Sequence, residues 1–167
     1  DAPDLVAGRP EDEARRLLRI LKDHPVFMAA LGRLLGRAER LVFLAGNHDL
    51  GLAYPEVQAV LRRALVDVAA VPGGGASREA LGRKVLFRPW LHLTVDGVLV
   101  EHGHRYDRAS TAADPLLAGR GDGPGLYQPL GTAGYRFMLS GIGTMNPHHE
   151  RAFILGGAVE LSTGQMV

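Results

Sequence analysis

The run Leu41-Val42-Phe43-Leu44-Ala45 is continuously apolar, is closed by Gly46, and leads at once into Asn47-His48-Asp49. An apolar run this short, bounded by glycine, predicts a buried strand rather than a helix, because a strand covered on both faces needs no polar alternation. The polar residues then fall in the loop at the strand's C-terminal end. Pro55 suits the first position of a following helix, with Val57, Val60, Leu61, Ala64, Leu65 and Val68 along one face. Open α/β sheets gather ligands outside the carboxyl ends of their strands, where this loop falls.

The flanking sequence fits a mixed α/β layer fold. Glu11 to Lys22 predicts an amphipathic helix, with Ala14, Leu17, Leu18 and Leu21 at helical spacing and acids in the first turn. A second helix starts near Pro25 and carries Phe27, Leu31, Leu34, Leu35 and Ala38. Pro72-Gly73-Gly74-Gly75 reads as a flexible connector. Leu91, Leu93 and Val95 alternate with His92, Thr94 and Asp96, and Asp96-Gly97 turns into Val98-Leu99-Val100, the pattern of a β-hairpin. Its second strand, expected to be buried, runs into Glu101-His102-Gly103-His104. Residues 105–134 read as loop, loosest over 119–125. A helix over 135–146 is weakened by Gly141 and Gly143. There is no fixed-period repeat.

Composition narrows the function classes. The chain has 167 residues, 46% apolar and 22% charged, which fits one globular domain rather than a disordered segment. It has no cysteine, so disulfides and cysteine-based metal or nucleophile chemistry are excluded. A net charge of +1 offers no global attraction for nucleic acid or an acidic membrane. Every cation except Lys22 and Lys84 is arginine, which reads as the codon bias of a GC-rich genome. The expected location is cytoplasmic, at most peripheral to a membrane, without a transmembrane span. The chain opens on Asp1 and closes after the apolar stretch Gly156-Gly157-Ala158-Val159, and is expected to be an internal segment of a longer protein.

Two polar clusters, Gly46-Asn47-His48-Asp49 and His102-Gly103-His104, thus sit at the ends of predicted strands. Asparagine offers a hard amide oxygen and neutral histidine an imidazole nitrogen; with carboxylates they suit Mn, Fe, Zn or a similar divalent ion. His48 followed by Asp49 supplies a proton donor and a partner that raises its pKa. His148-His149-Glu150 is metal-like in composition, but adjacent histidines point apart on a helix or a strand, so a surface role is expected. His24 and His92 read as structural, with His92 facing outward. Arg105, Arg108 and Arg136 could grip phosphate, although a solvated surface is the default for each.

Gly46-Asn47-His48-Asp49, after an apolar strand and before a helix, resembles the Gly-Asn-His-Asp/Glu motif of calcineurin-like metallophosphoesterases. The strand ending in His102-Gly103-His104 resembles that family's next metal-ligand block. Asp1-Ala2-Pro3-Asp4-Leu5 is similar to the end of an earlier Gly-Asp-x-x-Asp-Leu block. The resemblance implies a metallophosphoesterase-type αββα sandwich, here incomplete. Residues 1–167 would form a partial domain whose motif-bearing part spans 1–108, with 109–167 a cap or C-terminal segment. It implies metal ligation by Asp1, bridging two divalent cations, and by Asn47 and His102 on the second of them. His48 would stabilise the phosphoryl transition state or protonate the leaving oxygen, Asp49 would orient His48, and His104 would lie near the metals or touch phosphate. In such a site paired cations clamp the phosphate, acidify a water and stabilise the leaving oxygen.

The implied activity is phosphoester or pyrophosphate hydrolysis of the bacterial small-substrate type, on a phosphorylated small-molecule or lipid-like substrate, with no nucleic-acid or protein partner indicated. The family's opening Asp-x-His and closing Gly-His-x-His do not occur in this chain. The expectation is that the intact parent carries both and that the chain as it stands is a poor catalyst. The rival expectation is a degenerate or truncated, non-catalytic domain that acts as a binding module.

Overall fold

The computed structural model describes residues 9–70, 76–107, 110, 111 and 129. Two helices open this region, α1 (Pro10–Asp23) and α2 (Pro25–Arg37), with His24 alone between them. Each begins on proline, which lacks only an N–H that a first helical residue would leave unpaired. Glu11, Asp12 and Glu13 in the first turn of α1, and Lys22 in its last, complement the helix dipole. The helix expected after the polar loop is α3 (Pro55–Ala69).

The core lies where α2 crosses α3. Met28 and Leu35 of α2 pack with Leu61, Leu65 and Val66 of α3, and with Leu81 and Val85 farther along the chain. Leu17 and Leu21 of α1 reach this cluster only half-buried, and no residue of α1 is fully buried. The buried stripe of α3 is rotated from the expected one. Val66 is buried, whereas Val68 is 43% exposed with its side chain over Gly32 of α2. The cause is a second neighbour, a helix that covers the side of α3 carrying Val66.

That neighbour is α4 (Arg78–Lys84), and it runs directly into strand β2 (Val85–Arg88), named here after the first strand β1 (Leu41–Leu44). Hydrophobic periodicity anticipates neither α4 nor β2. Ser77 caps α4, its Oγ accepting from the Ala80 N–H at 3.1 Å. Arg78 forms an ion pair with Asp67 of α3. Lys84 donates to the Ala38 carbonyl at 2.9 Å, pinning the far end of α4 to the end of α2.

β1 and β2 pair in parallel, Leu41 opposite Val85 through Leu44 opposite Arg88, and Phe43 stacks on Phe87 with ring centroids 5.5 Å apart. Parallel strands need a long crossover, which α3 and α4 supply. The expected strand is therefore present, but all four of its residues are half-buried rather than buried. β1 has one strand neighbour among the described residues, so its flank is not enclosed as the centre of a wide sheet would be.

The hairpin forms as β3 (Leu91–Leu93) and β4 (Leu99–Glu101), antiparallel, with Leu91 opposite Glu101 and Leu93 opposite Leu99. Its turn is fastened by Thr94, whose N–H donates to the Val98 carbonyl at 2.9 Å and whose Oγ1 accepts from the Val98 N–H at 3.0 Å. Val95 belongs to that turn and is 96% exposed. The expectation of a buried second strand is corrected here. Leu93, Leu99 and Val100 face solvent, while His92, expected outward, is half-buried. Alternation shows that two faces differ; which one is covered depends on what packs against them, and no second layer lies over Leu93 and Leu99 among the described residues.

The described part is thus mixed α/β, with two short two-stranded sheets. No described helix is long and apolar enough to cross a membrane. The connector at 72–75, the loose loop at 119–125 and the weak helix at 135–146 lie outside the described residues.

Candidate functional site

At the end of β1 the chain passes through Ala45, Gly46 and Asn47, all buried, and then surfaces at His48 and Asp49. Ala45 extends the ladder, its N–H donating to the Arg88 carbonyl at 3.1 Å. The Asp49 N–H returns to the Gly46 carbonyl at 3.1 Å, so residues 46–49 form a closed turn. A 3-10 turn, Leu50–Ala53, follows and leads into α3. Asn47 is 8% exposed, a buried side-chain amide at the base of this turn. Asn47 and His48 are both engaged in polar or ring interactions of their own.

The second polar cluster arrives at this turn from the hairpin. The His102 ring lies against the α-carbon of Gly46, where an added Cβ would stand 2.6 Å from His102 Nε2 and 2.7 Å from Cδ2. No side chain other than hydrogen fits in that space. Gly46→Ala is therefore expected to push the His102 ring off the turn while leaving the fold intact, because His102 is solvent-exposed and its ring can swing. The check is the His102 ring shift by NMR alongside an unchanged melting temperature.

Gly103 adopts a left-handed backbone conformation, φ +83°, and this reversal brings the two flanking imidazoles together. Nδ1 of His104 is 3.2 Å from Nδ1 of His102, with the rings edge-on at 64° and centroids 5.1 Å apart. One nitrogen must donate and the other accept. His104's pKa is lowered, first by burial, then by the charges of His102 and Arg105, which favours its neutral form. A neutral His104 can accept from Nδ1–H of His102. In the tautomer where His102 is itself neutral and carries its proton on Nδ1, the lone pair is on Nε2, the nitrogen nearest Gly46. Metal-ligating histidines are commonly held this way, by a hydrogen bond to the ring nitrogen that does not bind.

Arg105 does not follow the solvated default. Its guanidinium lies 5.0 Å over the Trp90 ring and donates to the Pro89 carbonyl at 3.4 Å. This clamp ties the segment after His104 back to the entry of β3. Trp90 is the residue sequence reasoning missed, and an isolated tryptophan beside a strand start was its one available signal. Tyr106 donates to Glu101 at 3.3 Å, a bond that raises the tyrosine's pKa.

Of the expected site residues, His102 rests against Gly46, the chain neighbour of Asn47, and His104 bonds His102. His48 and Asp49 stand on the exposed part of the same turn. Asp1, Arg108, Arg136 and His148-His149-Glu150 lie outside the described residues. Among the described residues no group of three or more His, Cys, Asp or Glu side chains could hold a metal ion. By donor chemistry alone, the Asn47 amide oxygen and a neutral His102 ring nitrogen are of the kinds a divalent cation accepts.

No protein-family model matches the chain, and no curated protein or solved structure matches it. The class defined by fold and site together is a mixed α/β domain with a histidine of the hairpin seated on the glycine that follows a parallel strand.

Proposed function

We propose that the intact protein is a metal-dependent phosphoester hydrolase of the metallophosphoesterase type, and that this chain carries part of its dinuclear site within an incomplete αββα sandwich. The reading rests on one observation: His102, far along the chain, has its ring seated on Gly46, next to buried Asn47. Asn47 and His102 would hold one of two divalent cations, with Asp1 bridging to the other. Bound cations would neutralise phosphate charge and acidify a water. The chain's own residues do the rest. The Asp49 N–H bond to the Gly46 carbonyl closes the turn that carries Asn47, His104 bonds the His102 ring, and exposed His48 would serve the leaving oxygen with Asp49 orienting it.

The test is hydrolysis of a chromogenic phosphodiester by the full-length protein with added manganese. The expected result is activity that requires the metal and is abolished reversibly by a chelator. The partial donor set favours a second reading, a non-catalytic domain that only binds. Manganese binding with no turnover would select that second reading.

A further inference from the structure

We infer that the substrate of this site is an amphiphilic phosphoester, its phosphate held at the Gly46–Asp49 turn and its apolar group lodged in a half-open cavity between α1, α2, α3 and β1. The inference rests on the phosphohydrolase reading and narrows it. The cavity measures about 400 Å³, within the ordinary range of small-molecule sites. Leu17, Ile20, Phe27, Leu31, Phe43 and Leu61 are among its apolar lining residues. Two of them, Ile20 and Phe27, are 45% and 61% exposed, so apolar surface is left open to water that a hydrocarbon would displace favourably.

The charged or titratable side chains in the wall are Glu13, Arg16, His24, His48 and Asp49. Arg16 and Glu13 form an ion pair at 3.7 Å, so each offsets the other's charge. His48 and Asp49 also line the cavity, whereas His102 and His104 do not. The turn is therefore the boundary between the imidazole pair and the apolar chamber. Two trans peptide links separate Gly46 from His48, at most about 7.6 Å along the chain. A phosphoester can bridge that distance, with phosphorus beside Asn47 and its ester substituent passing His48 into the cavity. An inorganic or sugar phosphate would leave the chamber unfilled.

Alkylphosphonates test this without depending on turnover, because their C–P bond is not cleaved by a phosphoesterase. Titration calorimetry of the full chain with manganese would compare ethyl-, butyl- and octylphosphonate, and octanol. Affinity is expected to rise about fourfold per added methylene until the chain fills the cavity. Leu31→Trp and Leu17→Trp, each checked for folding by circular dichroism, are expected to weaken octylphosphonate at least tenfold and leave ethylphosphonate unchanged. Equal affinity for ethyl- and octylphosphonate overturns the inference, whether because nothing apolar binds or because the chain's own residues fill the chamber. Octanol binding as tightly as octylphosphonate also overturns it, since the cavity would then be uncoupled from the turn. Hydrolysis without chain-length dependence sinks the substrate class alone; chain-length dependence without hydrolysis sinks the catalytic reading alone.

Discussion

Asn47→Ala is expected to lower kcat/KM for a phosphodiester by about a hundredfold or more, and His48→Ala by a comparable factor within the roughly 10²–10⁴ range of positioned acid–base groups. The two losses should differ in kind. Asn47 is buried at the base of the turn, and its amide oxygen is proposed to hold a cation. Its removal should weaken manganese binding together with the rate, and excess manganese should restore part of the activity. His48 is exposed and is proposed to serve the leaving oxygen. Its removal should lower kcat, leave the manganese affinity unchanged, and resist rescue by metal. Calorimetric titration with manganese beside steady-state kinetics separates the two. Unchanged hydrolysis in both variants would refute the assignment of the turn.

Leu65→Ala is expected to destabilise the protein by about 2–5 kcal/mol, the usual cost of truncating an enclosed leucine. Leu65 has no exposed surface and stands in the cluster that joins α2, α3, α4 and β2. The methyl groups it loses have neighbours on several sides, so the walls cannot all collapse inward at once. A fall in the urea midpoint at constant slope is the signature, because the surface exposed on unfolding stays nearly the same. The same truncation at Leu18, which is 52% exposed on α1, should cost far less.

The contrast between Leu65 and Leu18 shows where the sequence is readable. Both lie on strongly periodic helices; α1 was legible from apolar spacing and acids in its first turn, α2 and α3 from spacing and a proline start. Spacing identifies a face but not its depth of burial, which depends on what covers it. Leu18 and Leu65 look alike in sequence; α2 and α4 cover one of them. The segment 78–88 was not legible for a related reason. Arg78–Lys84 is a short and mostly polar helix, and Val85–Arg88 becomes a strand by pairing with Leu41–Leu44, a partner on the far side of α3. The hairpin was legible because Asp96-Gly97 is a local turn signal, whereas its solvent-facing leucines were not.

The candidate site divides in the same way. Residue types and order along the chain singled out, without any coordinates, Asp1, Asn47, His48, Asp49, His102 and His104 as candidates for metal and phosphate chemistry, and placed Asn47, His48 and Asp49 after a strand. Local chemistry suffices for that, since donor atoms and turn propensity belong to individual residues. Only the tertiary structure decided that the His102 ring rests on Gly46, that His104 holds the other nitrogen of that ring, and that His48 borders an apolar chamber. Those contacts join separate elements through the parallel β1–β2 crossover and the left-handed backbone at Gly103. The chain closes such distances only when the core of α2, α3 and α4 has packed.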